Sequence, residues 1–135
     1  MSPAEAVLAA VLPLLPAEHR PTVPVLVVDP ARLSAPIAAG ARGACAFVIP
    51  PAPRAILLVA SCAHVREARR TGDRLALAAV AATIAHEQAH VRGADERAAR
   101  IVELAVFRRL AESLPAAQRG EALAYARRLE ARINR

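Results

Sequence analysis

His86-Glu87-Gln88-Ala89-His90-Val91-Arg92-Gly93-Ala94-Asp95-Glu96 is the stretch on which the reading of this chain turns. It has the form H-E-x-x-H, followed three residues later by a glycine and six residues later by a carboxylate. An α-helix turns once in about 3.6 residues, so two histidines four apart point the same way. Such a pair can share one divalent metal, with the intervening glutamate beside any water on that metal. Gly93 is where the helix should stop, because glycine accepts the left-handed conformation of a helix end.

The surroundings support a helix here. Asp73 is a good N-cap, and Arg74 to about Val91 reads as the strongest helix in the chain. Leu77, Val80, Ile84 and Val91 form its core stripe, while His86, Glu87 and His90 lie on another face. Asp95 can cap a further helix from Glu96 to about Leu114, apolar almost all round and therefore expected to be central. Pro115 breaks it, and a last helix from about Ala116 to Ile133 turns Ala122, Ala126, Leu129 and Ile133 inward. Arg119, Arg127, Arg128, Arg132 and Arg135 fall on its outer face.

Upstream, Ser2-Pro3-Ala4-Glu5 is a helix start with a capping serine, a proline at the first position and a glutamate at the third. That helix runs to Leu12 or Leu15, where Pro13 and Pro16 stop it. Thr22–Val28, Ala44–Ile49 and Arg54–Ala60 read as three strands, and Asp29-Pro30 marks a turn. Residues 31–43 read as a loop with a helical turn, and His64–Arg70 as a short helix. The short connection between the second and third strands predicts a hairpin. The fold class expected is α+β, one domain over residues 1–135: an N-terminal helix, a short, mostly antiparallel three-stranded sheet, then the H-E-x-x-H helix and two more. The third strand is expected beside the motif helix, offering its edge to an extended ligand.

The 135 residues suffice for a hydrophobic core without disulfide support, and 56% of them are apolar. The net charge of +6 comes from 18 arginines and no lysine. These are spread from Arg20 to Arg135 with only Phe47, Phe107 and Tyr125 as aromatics, which disfavours a nucleic-acid surface built on stacking. Cys45 and Cys62 lie in apolar contexts and read as buried free thiols of a reducing compartment, with a bridge between neighbouring strands as the alternative. No arginine precedes the first apolar run and Glu5 sits where a signal peptide wants positive charge, and the run Leu75–Ala85 is too short to span a membrane. A cytoplasmic protein is the expectation.

Catalytic zinc needs three protein ligands and an open position. His86 and His90 supply two nitrogens, and the third ligand must come from beyond Gly93. Glu96 is the leading candidate, Asp95 a close rival, and Glu103, two turns further along the same helix face, a weaker one. Acids in a first turn also cap a helix and favour its dipole, which suits Asp95 capping and Glu96 binding.

On these eleven residues the chain resembles the zincin metallopeptidases, and the spacing H-E-x-x-H-x-x-G-x-x-acid is similar to the metzincin pattern. There are two departures. Metzincins carry a methionine turn, whereas the only methionine here is Met1. Zincins with a glutamate ligand usually have an aspartate four residues after it, where this chain has Arg100. The resemblance implies a small zincin-like fold, one zinc ion per chain, a peptide or protein substrate, and Glu87 as general base. Tyr125, His64 and Arg92 are candidates to stabilise an oxyanion, although Tyr125 also reads as half-buried packing and His64 as a surface loop histidine. His19 has no evident role, and Cys62-Ala63-His64 lacks the third group of a nucleophilic site. Two other functions fit the residues: a zinc-binding regulatory protein that acts through a protein partner without catalysis, and an arginine-rich helical nucleic-acid-binding module.

Overall fold

A computed structural model describes residues 1–34, 37 and 43–135. The described elements are α1 (Pro3–Val11), β1 (Val25–Val28), β2 (Ala46–Phe47), β3 (Ile56–Val59), α2 (Ala63–Thr71), α3 (Arg74–Val91), α4 (Glu96–Ala111) and α5 (Arg119–Ile133). This is the α+β order expected. The expected helical turn at 31–43 lies largely outside the described residues.

The sheet differs from expectation. Its order is β1-β3-β2, with β1 parallel to β3 and β2 antiparallel to it, so it is mixed rather than mostly antiparallel. The hairpin expected between the second and third strands does form, pairing Ala46 with Leu58 and Phe47 with Leu57. The connection between the parallel strands, Asp29 to Ala55 with β2 inside it, is long enough for the crossover that a parallel pair requires. As the central strand, β3 has no free edge to offer a ligand; among the described residues β2 is the edge strand on the hairpin side. The strands are also shorter than expected. Pro24 has no N–H to donate, and only its carbonyl is used, accepting from the Ile56 amide at 2.9 Å.

The hairpin brings Cys45, just before β2, against Cys62, just after β3. Their Cα atoms are 4.9 Å apart and the thiols are joined as a disulfide. The expectation of free thiols is thus corrected, and with it goes the ground on which they pointed to a reducing compartment. No helix among the described residues is long and apolar enough to cross a membrane.

The motif helix α3, not α4, is the central one. It packs against α1, α2, α4, β2 and β3. Ala76, Ala78, Ala79, Val80, Ala81, Ala82, Ile84 and Ala85 are all buried along it, small side chains letting neighbours approach from several sides. α4 instead leaves Ile101 exposed and buries Leu104, Val106 and Phe107. Gln88, inside the motif, faces the interior. Its amide accepts from the Thr22 backbone at 3.1 Å and donates to the Thr22 hydroxyl at 2.9 Å, tying the chain before β1 to this helix. Burying an amide is tolerable only with such partners.

Candidate metal centre

The end of α3 is built by a Schellman turn. Gly93 has φ +94°. Its amide donates to the His90 carbonyl at 2.9 Å, and the Ala94 amide donates to the Ala89 carbonyl at 2.9 Å. Two consequences follow for the site. The Ala94 carbonyl is turned back to within 2.9 Å of His90 Nδ1. The chain then restarts as α4, where the Asp95 carboxylate caps the helix by accepting from the Ala98 amide at 2.8 Å. Asp95 is thereby committed to capping, and the next residue, Glu96, projects over the histidines.

His86 Nε2 lies 2.8 Å from Glu96 Oε1, and His90 Nε2 lies 3.4 Å from Glu96 Oε2. One ligand atom from each of His86, His90 and Glu96 falls within 4.8 Å of the others, a grouping that can hold a metal ion. The remaining ring nitrogens are also occupied. His86 Nδ1 is 2.8 Å from Glu103 Oε1, and His90 Nδ1 is 2.9 Å from the Ala94 carbonyl. Both acceptors require N–H at Nδ1, so each neutral ring carries its lone pair on Nε2, toward Glu96. Two imidazole nitrogens and one carboxylate make a His2Glu donor set of the kind that binds catalytic zinc.

Glu103 is therefore placed behind His86 rather than among the three grouped side chains. The sequence offered it only as the weaker rival of Glu96 for the third ligand position, on the two-turn spacing along one helix face, and its contact with His86 Nδ1 left no separate signal. The Ala94 carbonyl, a backbone group, left no signal in the residue pattern. Arg100 Nε lies 3.5 Å from Glu96 Oε1, and its Nη1 donates to the Arg132 carbonyl at 2.7 Å. It occupies the position where the family pattern has an aspartate, and it holds the carboxylate of Glu96 instead.

Glu87 is almost fully buried, with 8% of its surface exposed, and its Oε1 is 3.9 Å from His86 Nε2. Burial pushes its carboxyl up to about 7, against the pull of His86 and His90. Burial acts on His86 in the opposite sense, lowering it, but the hydrogen bond and charge of Glu103 outweigh this and leave the imidazole above its ordinary value.

His86, Glu87, Glu96 and Glu103 line an open cleft of about 930 Å³. His64, Tyr125 and Arg132 also line it, and β2 contributes Ala46. His64 belongs to α2, not to a surface loop, and packs edge-on against Tyr125 with ring centroids 5.2 Å apart. Burial lowers the His64 imidazole and raises the Tyr125 phenol to about 12. Arg92 is directed away, donating to the Glu18 carbonyl at 3.0 Å. His19 lies in a single 3-10 turn and lines no part of the cleft.

Comparison with protein-family models, curated proteins and solved structures gives no match. The likeness to zincins is thus one of motif, and the functional reading rests on the site itself.

Proposed function

We propose that this protein is a zinc-dependent hydrolase, a peptidase, in which His86, His90 and Glu96 hold the metal and Glu87 is the general base. One observation carries the reading. Both histidines have Nδ1 engaged by an acceptor, so both Nε2 atoms are turned toward Glu96, and of these three side chains His86 and Glu96 line the cleft. A histidine pair that merely decorated a surface has no need of two separate orienting acceptors.

Bound zinc supplies a Lewis acid and lowers the pKa of water to about 7. The chain's own groups do the rest. Glu87 Oε would accept the proton of the attacking water and return it to the leaving amine. Glu103 and the Ala94 carbonyl hold the imidazoles in their tautomers. The edge strand β2 beside the cleft suits an extended peptide, which pairs with a strand through its main chain.

The test is metal analysis beside turnover. The purified protein carries one zinc per chain, and Glu87→Gln retains that zinc while cleavage of a mixed peptide library falls by about a hundredfold or more. A protein that takes up no zinc under saturating conditions removes the reading. Zinc retained with no cleavage by wild type removes the catalytic half and leaves a metal-binding protein.

A further inference from the structure

The carboxylates that line the cleft are all committed: Glu103 to His86, Glu96 to both histidines and Arg100, and Glu87 to its buried position beside His86. Beside them stands Arg132, the one arginine lining the cleft among the described residues. It has no ion pair among those residues, although Arg70, Arg100, Arg108 and Arg109 each find a carboxylate. Its backbone is fixed, because Arg100 bridges from Glu96 to the Arg132 carbonyl. One turn earlier Arg128 lies over the Tyr125 ring, 5.5 Å from the centroid, adding a second positive charge to the same corner. The effect is felt locally: burial lowers the His64 imidazole, and the charges of Arg128 and Arg132 lower it further.

A guanidinium at the rim of a cleft, anchored through its own backbone and lacking an internal anion, offers a planar fork of donors that matches a carboxylate. We propose that this corner binds a carboxylate of the substrate, with Arg132 as the specificity-determining group. The inference rests on the reading of the cleft as a peptide-binding one. The carboxylate has two chemical sources, the C-terminus of a peptide or an acidic side chain near the bond to be cleaved.

Three acetylated peptides of one length and core sequence separate these sources: a C-terminal acid, its amide, and an amide with one internal glutamate. Binding to zinc-loaded Glu87→Gln protein, measured by calorimetry, needs no turnover. One of the two anionic peptides binds about tenfold or more tighter than the neutral amide, and which one it is identifies the source. In the Arg132→Ala, Glu87→Gln double variant the difference closes through loss of anionic binding, and Arg132→Lys keeps part of it. Equal binding of all three peptides, a preference that survives Arg132→Ala, or no binding by any peptide overturns the proposal. The peptidase reading is judged separately, by cleavage of the tighter peptide by the wild-type protein. Discrimination without cleavage leaves the carboxylate site standing and removes the peptidase.

Discussion

His86 on α3 and Glu103 on α4 meet with Nδ1 and Oε1 2.8 Å apart, both side chains nearly enclosed. The contact crosses the most extensive helix-helix interface of the fold, so the carboxylate is held by packing as well as by the hydrogen bond. An acid behind a metal-directed histidine fixes the ring and raises its basicity. Glu103→Ala is expected to weaken zinc binding by about 10–100-fold while the far-ultraviolet spectrum stays that of the folded chain. Competition against a chelator of known affinity measures this, and unchanged affinity in a folded variant would show that Glu103 serves packing alone.

The two neighbouring acids after the Schellman turn have separate tasks, and variants separate them. Asp95 caps α4 through the Ala98 amide, so Asp95→Ala should cost about 1 kcal/mol of stability and leave one zinc per chain. Glu96 is about half exposed and makes no cap, so Glu96→Ala should leave stability nearly unchanged in the absence of metal and abolish tight zinc binding. Urea denaturation beside metal analysis distinguishes the pair. Zinc lost from Asp95→Ala and kept by Glu96→Ala would exchange their roles.

Much of this was legible because the local signals agree with one another. Asp73, Gly93 and Asp95 mark three helix boundaries by side-chain or backbone chemistry that acts within four residues, and the structure places those boundaries there. The grouping of His86, His90 and Glu96 follows from the same short-range geometry. What was not legible depends on distant pairing. The parallel β1–β3 register requires knowing where the first strand docks, whereas the Cys45–Cys62 bridge follows from the hairpin and was open as an alternative that the apolar contexts of the two cysteines could not decide. The burial of α3 on so many sides was hidden by its alanines, which give no stripe when nearly every position is small and apolar. The part of the cleft lined by His64, Tyr125 and Arg132 comes from α2 and α5, elements distant in sequence and beyond the reach of any spacing.

Gly93 links the turn to the site. A Cβ there meets nothing within 4 Å, so the cost of a side chain is conformational rather than steric crowding. At φ +94° an alanine should cost about 1–2 kcal/mol, or relax the turn to avoid it. Relaxation moves the Ala94 carbonyl from His90 and the start of α4 from the histidines. Gly93→Ala is therefore expected to lower both the thermal midpoint and the zinc affinity, whereas Gly72→Ala, at φ +67° on the end of α2, should lower the midpoint alone. Equal zinc affinity in the two variants would argue that the Gly93 turn does not position the ligands.

The metal-free protein carries a pH signature whose direction is fixed by Glu87 and His86. Burial raises the Glu87 carboxyl from 4.5 to about 7 in the folded state. Between those values the unfolded chain has released this proton and the folded chain still holds it, so stability declines as pH rises through the window. His86, raised above 6.5 by Glu103 despite its burial, acts in the same sense: its contribution is complete below 6.5 and is lost as pH passes the higher folded value. With the protein kept metal-free by chelation, unfolding at pH 8 should thus require less free energy than at pH 5. The Glu87 part is on the order of 3 kcal/mol. Glu87→Gln, which cannot ionise, should remove most of that decline. Zinc should reverse the slope, because binding needs neutral imidazole and strengthens as protons leave. Urea denaturation of both proteins across pH 5–8 tests the argument, and a metal-free wild type that is as stable at pH 8 as at pH 5 would mean that the buried carboxyl is relieved by water or by a movement of α4.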